Sequence, residues 1–322
     1  MNTKVTAWLA RPTTTMLLVL VSIVAIFAVL SPGTFFTFSN AQGILSNAAI
    51  LLVVAVGATF VILTAGIDLS VGSVLVFSSV VGAKAMERVG GQSLGTILVG
   101  LAVTITAGAI WGALNGVLIA KAKVPAFVVT LGTLGAAYGL ALVISGGVDV
   151  RSVPTPLVEF GNGRWLGIPI IAIIAALVTA IAGIALAYTV FGRRTYAIGS
   201  NQESARRAGI RVDRQLIEIY ALAGALAGFG GFLSLARFGT TTIAGNTNLN
   251  LQVITAVVIG GTSLFGGIGW MLGTTIGVFI PIVLANGFII RGVVPYWQYV
   301  AVGTVLIAAV LLDQRRRLRQ LN

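Results

Sequence analysis

Cysteine and histidine are both absent from this chain of 322 residues. The first absence removes disulfides and thiolate metal sites. The second removes the side chain that most often serves as general base, proton relay or metal ligand near neutral pH. Charge is scarce as well: Asp, Glu, Lys and Arg make up 9% of the residues, and the acids number only 8, where a soluble domain carries roughly 25% charged residues. No HExxH helix, no Walker lysine loop and no pair of carboxylates within an apolar run is found, so hydrolytic and redox chemistry have no residues to work with. No catalytic or metal-binding residue is expected, and the chain reads as something other than an enzyme. What it has in abundance is apolar: 57% hydrophobic residues, with 41 glycines. Such a composition cannot cover a water-facing surface. It predicts an all-α polytopic membrane protein, with 1–322 forming a single domain.

Apolar runs of about 20 residues bounded by charge, proline or polar clusters predict about ten transmembrane or membrane-embedded helices. They lie at 14–31, 42–64, 68–83, 93–120, 125–144, 168–190, 216–235, 249–261, 268–290 and 294–312. The third and eighth are too short to cross an unthinned bilayer upright. Pro125 stands at a helix start, where its missing N–H costs nothing. The polar, basic N-terminus is followed by an apolar span without a small-residue cleavage site, which reads as a retained helix. An even number of spans puts both termini on one side. The net charge of +12 then reports orientation rather than nucleic acid. Most basic residues, among them Lys4, Arg11, Lys121, Lys123 and the tail 315–319, fall on the terminal side, which is therefore cytoplasmic.

Residues 192–215 form the one long polar island, with Arg193, Arg194, Arg206, Arg207, Arg211 and Arg214 in it. Ser200 with Glu203 fits a capping box, Arg206 and Arg207 suit a last turn, and Gly209 suits a left-handed residue just past it. A helix of about two turns is predicted between Ser200 and Gly209, although a solvated loop that fixes topology by its charge is the competing reading. Two glycine-rich junctions, Gly66–Gly72 and Gly260–Gly267, each join a long span to a short one, and broken helices in corresponding halves point to a transport pathway. Asp68 reads first as a cap accepting from the amide of Ser70 or Val71, with a place in the pathway as the alternative. Glycines 108, 112 and 116 and glycines 224, 228, 230 and 231 allow close helix approach, within one subunit or across a dimer. An ion in a low-dielectric passage needs compensating charge, and the spans hold almost none. Their neutral polar groups, Thr59, Thr64, Ser70, Ser73, Asn115, Thr130, Thr133, Asn286 and Gln298, are, with Asp68, the candidates for lining a path for an uncharged, polyhydroxylated solute. On the opposite side, the loop 145–167 carries Asp149, Arg151, Glu159 and Arg164. Together with Arg237 and Arg291 these are candidates for docking a soluble partner.

Four motifs in order, Gly66–Ser73, Tyr196–Asn201, Ala208-Gly209-Ile210 and Ala256–Leu264, resemble the ribose-type permease family, the membrane subunits of bacterial ABC importers for simple sugars. The resemblance runs from about Pro32 to Asp313. It implies import of a neutral monosaccharide across the bacterial inner membrane by a pair of permeases, identical or paralogous. It also implies a periplasmic sugar-binding protein, and cytoplasmic ATPase subunits that hold ATP and Mg while this chain binds no cofactor. Apart from membrane lipid no further partner is implied, and nucleic acid is not among them. The segment 200–209 would be the coupling helix docked on the ATPase, with Ser200, Asn201, Glu203, Ala205, Arg206, Arg207 and Gly209 at the contact. The chain departs from the family where a pattern like E-L-D-A-I becomes Asn250-Leu251-Gln252-Val253-Ile254. The competing functions are a self-sufficient secondary transporter and an ABC permease for a nucleoside, a polyol or a branched-chain amino acid.

Overall fold

Apolar backbone in lipid must satisfy its own hydrogen bonds, and a helix does so within one segment. The computed structural model follows that rule. It describes residues 12–244, 248–294, 296–298, 300–304, 307, 310, 311 and 314. In chain order the helices are α1 (Pro12–Leu30), α2 (Pro32–Phe35), α3 (Phe38–Leu63), α4 (Val71–Val89), α5 (Leu94–Ala120), α6 (Ala126–Ser145), α7 (Thr155–Asn162), α8 (Ile170–Tyr188), α9 (Val190–Ser200), α10 (Gln202–Arg207), α11 (Val212–Phe238), α12 (Leu249–Ile259) and α13 (Met271–Ile290). A two-residue hairpin, β1 (Arg164–Trp165) with β2 (Ile168–Pro169), lies between α7 and α8. Six helices, α3, α5, α6, α8, α11 and α13, are long and apolar enough to cross a membrane. The last expected span, 294–312, is helical at 296–298 and 300–304. Its remaining stretches, the N-terminal 1–11 and the basic tail 315–319 lie wholly or partly outside the described residues.

Helix α3 is the axis. Its N-cap Thr37 accepts from the Asn40 amide, and Val53, Val54, Ala55 and Val56 have no exposure at all. Around it pack α11, α13, α8 and α12, while α11 makes its most extensive contact with α5. That contact explains the glycines. A Cβ on Gly108 would meet the Gly224 carbonyl, one on Gly112 the Tyr220 carbonyl, and one on Gly228 the Thr104 carbonyl. The two rows therefore face each other inside one chain, and Gly230 and Gly231 face α3 and α4.

Helix α3 begins four residues before its expected span, α11 exceeds its span at both ends, and α13 begins only at Met271; two further segments differ in kind. The third span does not stop at Ala83: α4 continues to Val89, because Lys84 and Glu87 pair at 2.8 Å on a partly exposed face, which carries the charge into water. The stretch 145–167 is not bare loop. It holds α7 and turns at Leu166 and Gly167, both at positive φ (51° and 81°). Helix α12 is short, as expected, with 11 residues, about 16 Å of rise against a hydrocarbon core of roughly 30 Å.

Candidate functional site

The polar island is two helices rather than one. Helix α9 runs to Ser200, whose Oγ donates to the Tyr196 carbonyl at 2.9 Å. The break falls at Asn201, in extended backbone, and its Oδ1 accepts from the Ser204 amide at 2.8 Å. The expected Ser200–Glu203 capping box is therefore not formed. Asn201 is the cap, because Ser200 is still inside the preceding helix, and Glu203 instead pairs with Arg207 at 3.1 Å. The far end follows the expectation. Gly209 has φ of 81°, its amide donates to Arg206 and the Ile210 amide reaches back to Ala205, each at 3.0 Å, which is a Schellman closure. Of α10 only Ala205 is buried, in a cluster with Ala120, Ile198, Val212 and Leu216. Glu203, Arg206, Arg207 and Gly209 are exposed. Arg206 and Lys123 both pair with Asp213, fastening this projecting turn to α11 and to the link between α5 and α6.

The end of α9, just before the projecting turn, stands against Leu63, which leads into the first glycine-rich junction, and against Gly267, which closes the second. The Gly267 amide donates to the Leu63 carbonyl at 2.9 Å, and a Cβ on Gly199 would collide with both of those groups. Tyr196 donates its hydroxyl to the Gly269 carbonyl at 2.6 Å, and burial pushes its phenol up from the ordinary value. Leu63 ends α3, Gly199 lies in the last turn of α9, and Gly267 lies shortly before α13, so three helix ends meet at one point.

From there the first junction climbs into a buried polar cluster. Asp68 Oδ1 accepts from the Ser70 amide at 2.8 Å and from Ser70 Oγ at 2.6 Å, so the expected Ser70 bond is present while the helix itself starts at Val71. Asn115 Nδ2 donates to Ser70 Oγ at 2.9 Å. Thr130 Oγ1 lies between two carbonyls that share its one proton, Ala126 of its own helix at 2.9 Å and Ile67 at 3.1 Å. Asn250, where the resembled family has an acid, accepts from the Gly72 amide at 2.5 Å. Helices α4, α5, α6 and α12 are thus joined at one place, in which Asn115 Oδ1 and Tyr220 Oη have no partner among the described residues. Asn250 was not among the expected path residues. Its only sign in the sequence was the change from the family's acid.

Of the other candidate path residues, Ser73 is buried directly after Gly72 of this cluster. Thr64 and Thr133 bond back to their own helices, and Thr59 bonds to Thr274 at 2.8 Å. Asn286 lies elsewhere, donating to Asn40 Oδ1 at 2.8 Å, and Gln298 is half-buried. As they stand, the cluster residues bond to one another and do not line an open passage.

On the opposite face, Arg151, Glu159 and Arg164 are exposed with no side-chain bond among the described residues. Asp149 holds Thr241 Oγ1 at 2.9 Å and the Ile243 amide at 3.0 Å. Ser152 donates to Glu87 at 3.0 Å and the Thr155 amide to Gln92 at 2.5 Å. Arg237 donates to Asn47, and Arg291 to the Leu30 carbonyl, each at 3.1 Å. Asp149, Arg237 and Arg291 are therefore engaged within the chain, while Arg151, Glu159 and Arg164 stay open at the surface.

Residues 40–310 match the family described as branched-chain amino acid transport system / permease component. The chain belongs to this permease family. The permease is 38% identical to the ribose import permease protein of Escherichia coli (strain K12), over 97% of this chain and 96% of that one. It is 40% identical to the ribose import permease protein of Bacillus subtilis (strain 168), over 91% and 90%. With the fructose import permease protein of Rhizobium meliloti it shares 35% identity, over 95% and 86%. No solved structure matches the permease. It is a multi-pass membrane protein and a transport component rather than an enzyme.

Proposed function

We propose that this permease is the transmembrane subunit of an ATP-binding-cassette importer that moves a neutral monosaccharide from a periplasmic binding protein into the cytoplasm. The observation that carries the reading is the near-full-length similarity to a ribose import permease, 38% over 97% of the chain. The chemistry of the interior agrees with a neutral cargo. Asp68 is the one charged side chain in the buried set of described residues, and its Oδ1 is taken by Ser70. A zwitterionic or anionic solute would lack a compensating charge in low dielectric.

In this reading about ten helices form one permease domain over 1–322 in the bacterial inner membrane, with both termini cytoplasmic. The segment 192–215 faces the cytoplasm, and α10 with its flanks, Ser200 to Gly209, docks on an ATPase subunit that holds ATP and Mg. The segment 145–167 faces the periplasm, with Arg151, Glu159 and Arg164 available to the binding protein. A second permease, identical or paralogous, completes the passage. The junctions link the two faces: a push on α10 reaches Leu63 and Gly267 through Gly199, and the Leu63–Asp68 segment carries it into the polar cluster.

The test is uptake of labelled ribose into proteoliposomes that hold the permease, its ATPase and the binding protein. ATP-dependent ribose uptake that is absent without the ATPase is the expected result. Uptake driven by an ion gradient without ATPase would contradict it, and ATP-dependent uptake of leucine in place of ribose would contradict the cargo.

A further inference from the structure

A second polar feature lies beside the coupling turn and is not used by the proposed transport cycle. A cavity of about 180 Å³ opens between α9 and the start of α11, lined by Arg194, Arg211, Arg214, Gln215 and Glu218. Its frame is fixed. Gln215 is buried, and its Nε2 donates to the Phe191 carbonyl at 3.1 Å and to Thr195 Oγ1 at 3.3 Å, which ties α11 to α9 between the arginines. Glu218 is the one carboxylate in the lining and is paired with Arg214 at 2.7 Å. Arg194 and Arg211 have no carboxylate partner among the described residues, so two guanidinium groups are left uncompensated at one small opening. The nearby junction of α8 and α9 is apolar and open, with Tyr188 78% and Val190 50% exposed, as expected where a span meets the headgroup layer.

We propose that this cavity binds the phosphate group of an anion at the cytoplasmic membrane surface. The planar guanidinium fork matches phosphate oxygens bidentately, and basic pockets between helices on the cytoplasmic side are where anionic headgroups are held. The small volume and fixed walls favour a compact phosphate over a protein side-chain array. A phospholipid headgroup and free phosphate share this chemistry, and the experiment separates them.

The full-length permease is placed in phosphatidylcholine nanodiscs, with and without phosphatidylglycerol, and separately in phosphatidylcholine with added inorganic phosphate. Thermal unfolding is followed by tryptophan fluorescence, and bound phospholipid is counted by native mass spectrometry. The double variant Arg194→Gln, Arg211→Gln is compared with Lys121→Gln, Arg207→Gln, which removes equal charge from the same face outside the cavity. Both replaced arginines are exposed, so in pure phosphatidylcholine the double variant should melt with the wild type. The expected result is stabilisation by phosphatidylglycerol or by phosphate, weakened roughly thirtyfold in affinity in the cavity variant and kept in the control. The arm that responds names the source. Equal response of both variants, or none in either arm, would overturn the proposal. So would anion binding that is unchanged in the cavity variant.

Discussion

At Asn201 one side-chain oxygen decides where α9 ends and α10 begins, since its Oδ1 holds the Ser204 amide. Asn201→Ala removes the cap at a local cost of about 0.5–2 kcal/mol. It is expected to lower sugar uptake while leaving the complex assembled, whereas Ser200→Ala, which loses only a bond to its own helix, should behave like wild type. Binding-protein-stimulated ATPase and uptake measured side by side check this, and equal behaviour of the two variants would be contrary. Gly199 is constrained by contact: any Cβ there runs into the Leu63 carbonyl and the Gly267 amide. Gly199→Ala should therefore cost about 1–3 kcal/mol through backbone shifts, seen as a lower melting temperature in detergent. In the buried cluster, Asp68→Asn keeps an acceptor for both Ser70 bonds and is expected to retain uptake. Asp68→Leu strands the Ser70 amide at about 1–3 kcal/mol and should lose it. Loss of uptake in both would mean that the charge itself is required.

Among elements, the segment 145–169 is fastened to α4 through Glu87, to Gln92, to the 240–243 turn through Asp149, to α3 where Gln42 donates to the Gly167 carbonyl, and to α11 where Asn162 donates to the Arg237 carbonyl. Thr241→Val breaks the bond to Asp149 and the one that Val150 donates to it at 2.9 Å, and should loosen the docking face without removing its charges. Charge reversal at Arg151 or Arg164 should slow binding-protein association, and added salt should shrink the difference, because exposed charges act through a screened field. Stopped-flow association at two ionic strengths checks it, and a salt-independent defect would argue for a steric cause.

The helices were legible because a span announces itself as an uninterrupted apolar run, as in α3, α5 and α13. Helix α9 was not, since Val190–Ser200 mixes arginines with apolar residues and reads as loop. The end of α4 was hidden because its charges are paired off locally. The short turn was legible at Gly209, where chirality dictates the residue, and misread at its start, where Ser200 and Asn201 are adjacent cap formers and only the length of α9 chooses between them. The polar cluster was half visible. Asp68 and Ser70 are neighbours in sequence, but Asn250 meets Gly72 across 178 positions, and no local pattern encodes that contact.

Across the whole molecule, the exposed turn at α10 follows directly on the end of α9, which connects to the buried polar cluster through the meeting of Leu63, Gly199 and Gly267. The central claim is that α10 transmits ATPase motion to the passage. Gly209 is the place to interrupt it, because φ of 81° excludes a β-branched residue, and a Cβ there meets nothing within 4 Å, so the core is spared. The most direct measurement is the number of ribose molecules imported per ATP hydrolysed in proteoliposomes, for wild type and Gly209→Val at equal incorporation. The account predicts that the variant still recruits the ATPase and hydrolyses ATP but imports several-fold less sugar per ATP, and an unchanged ratio would contradict it.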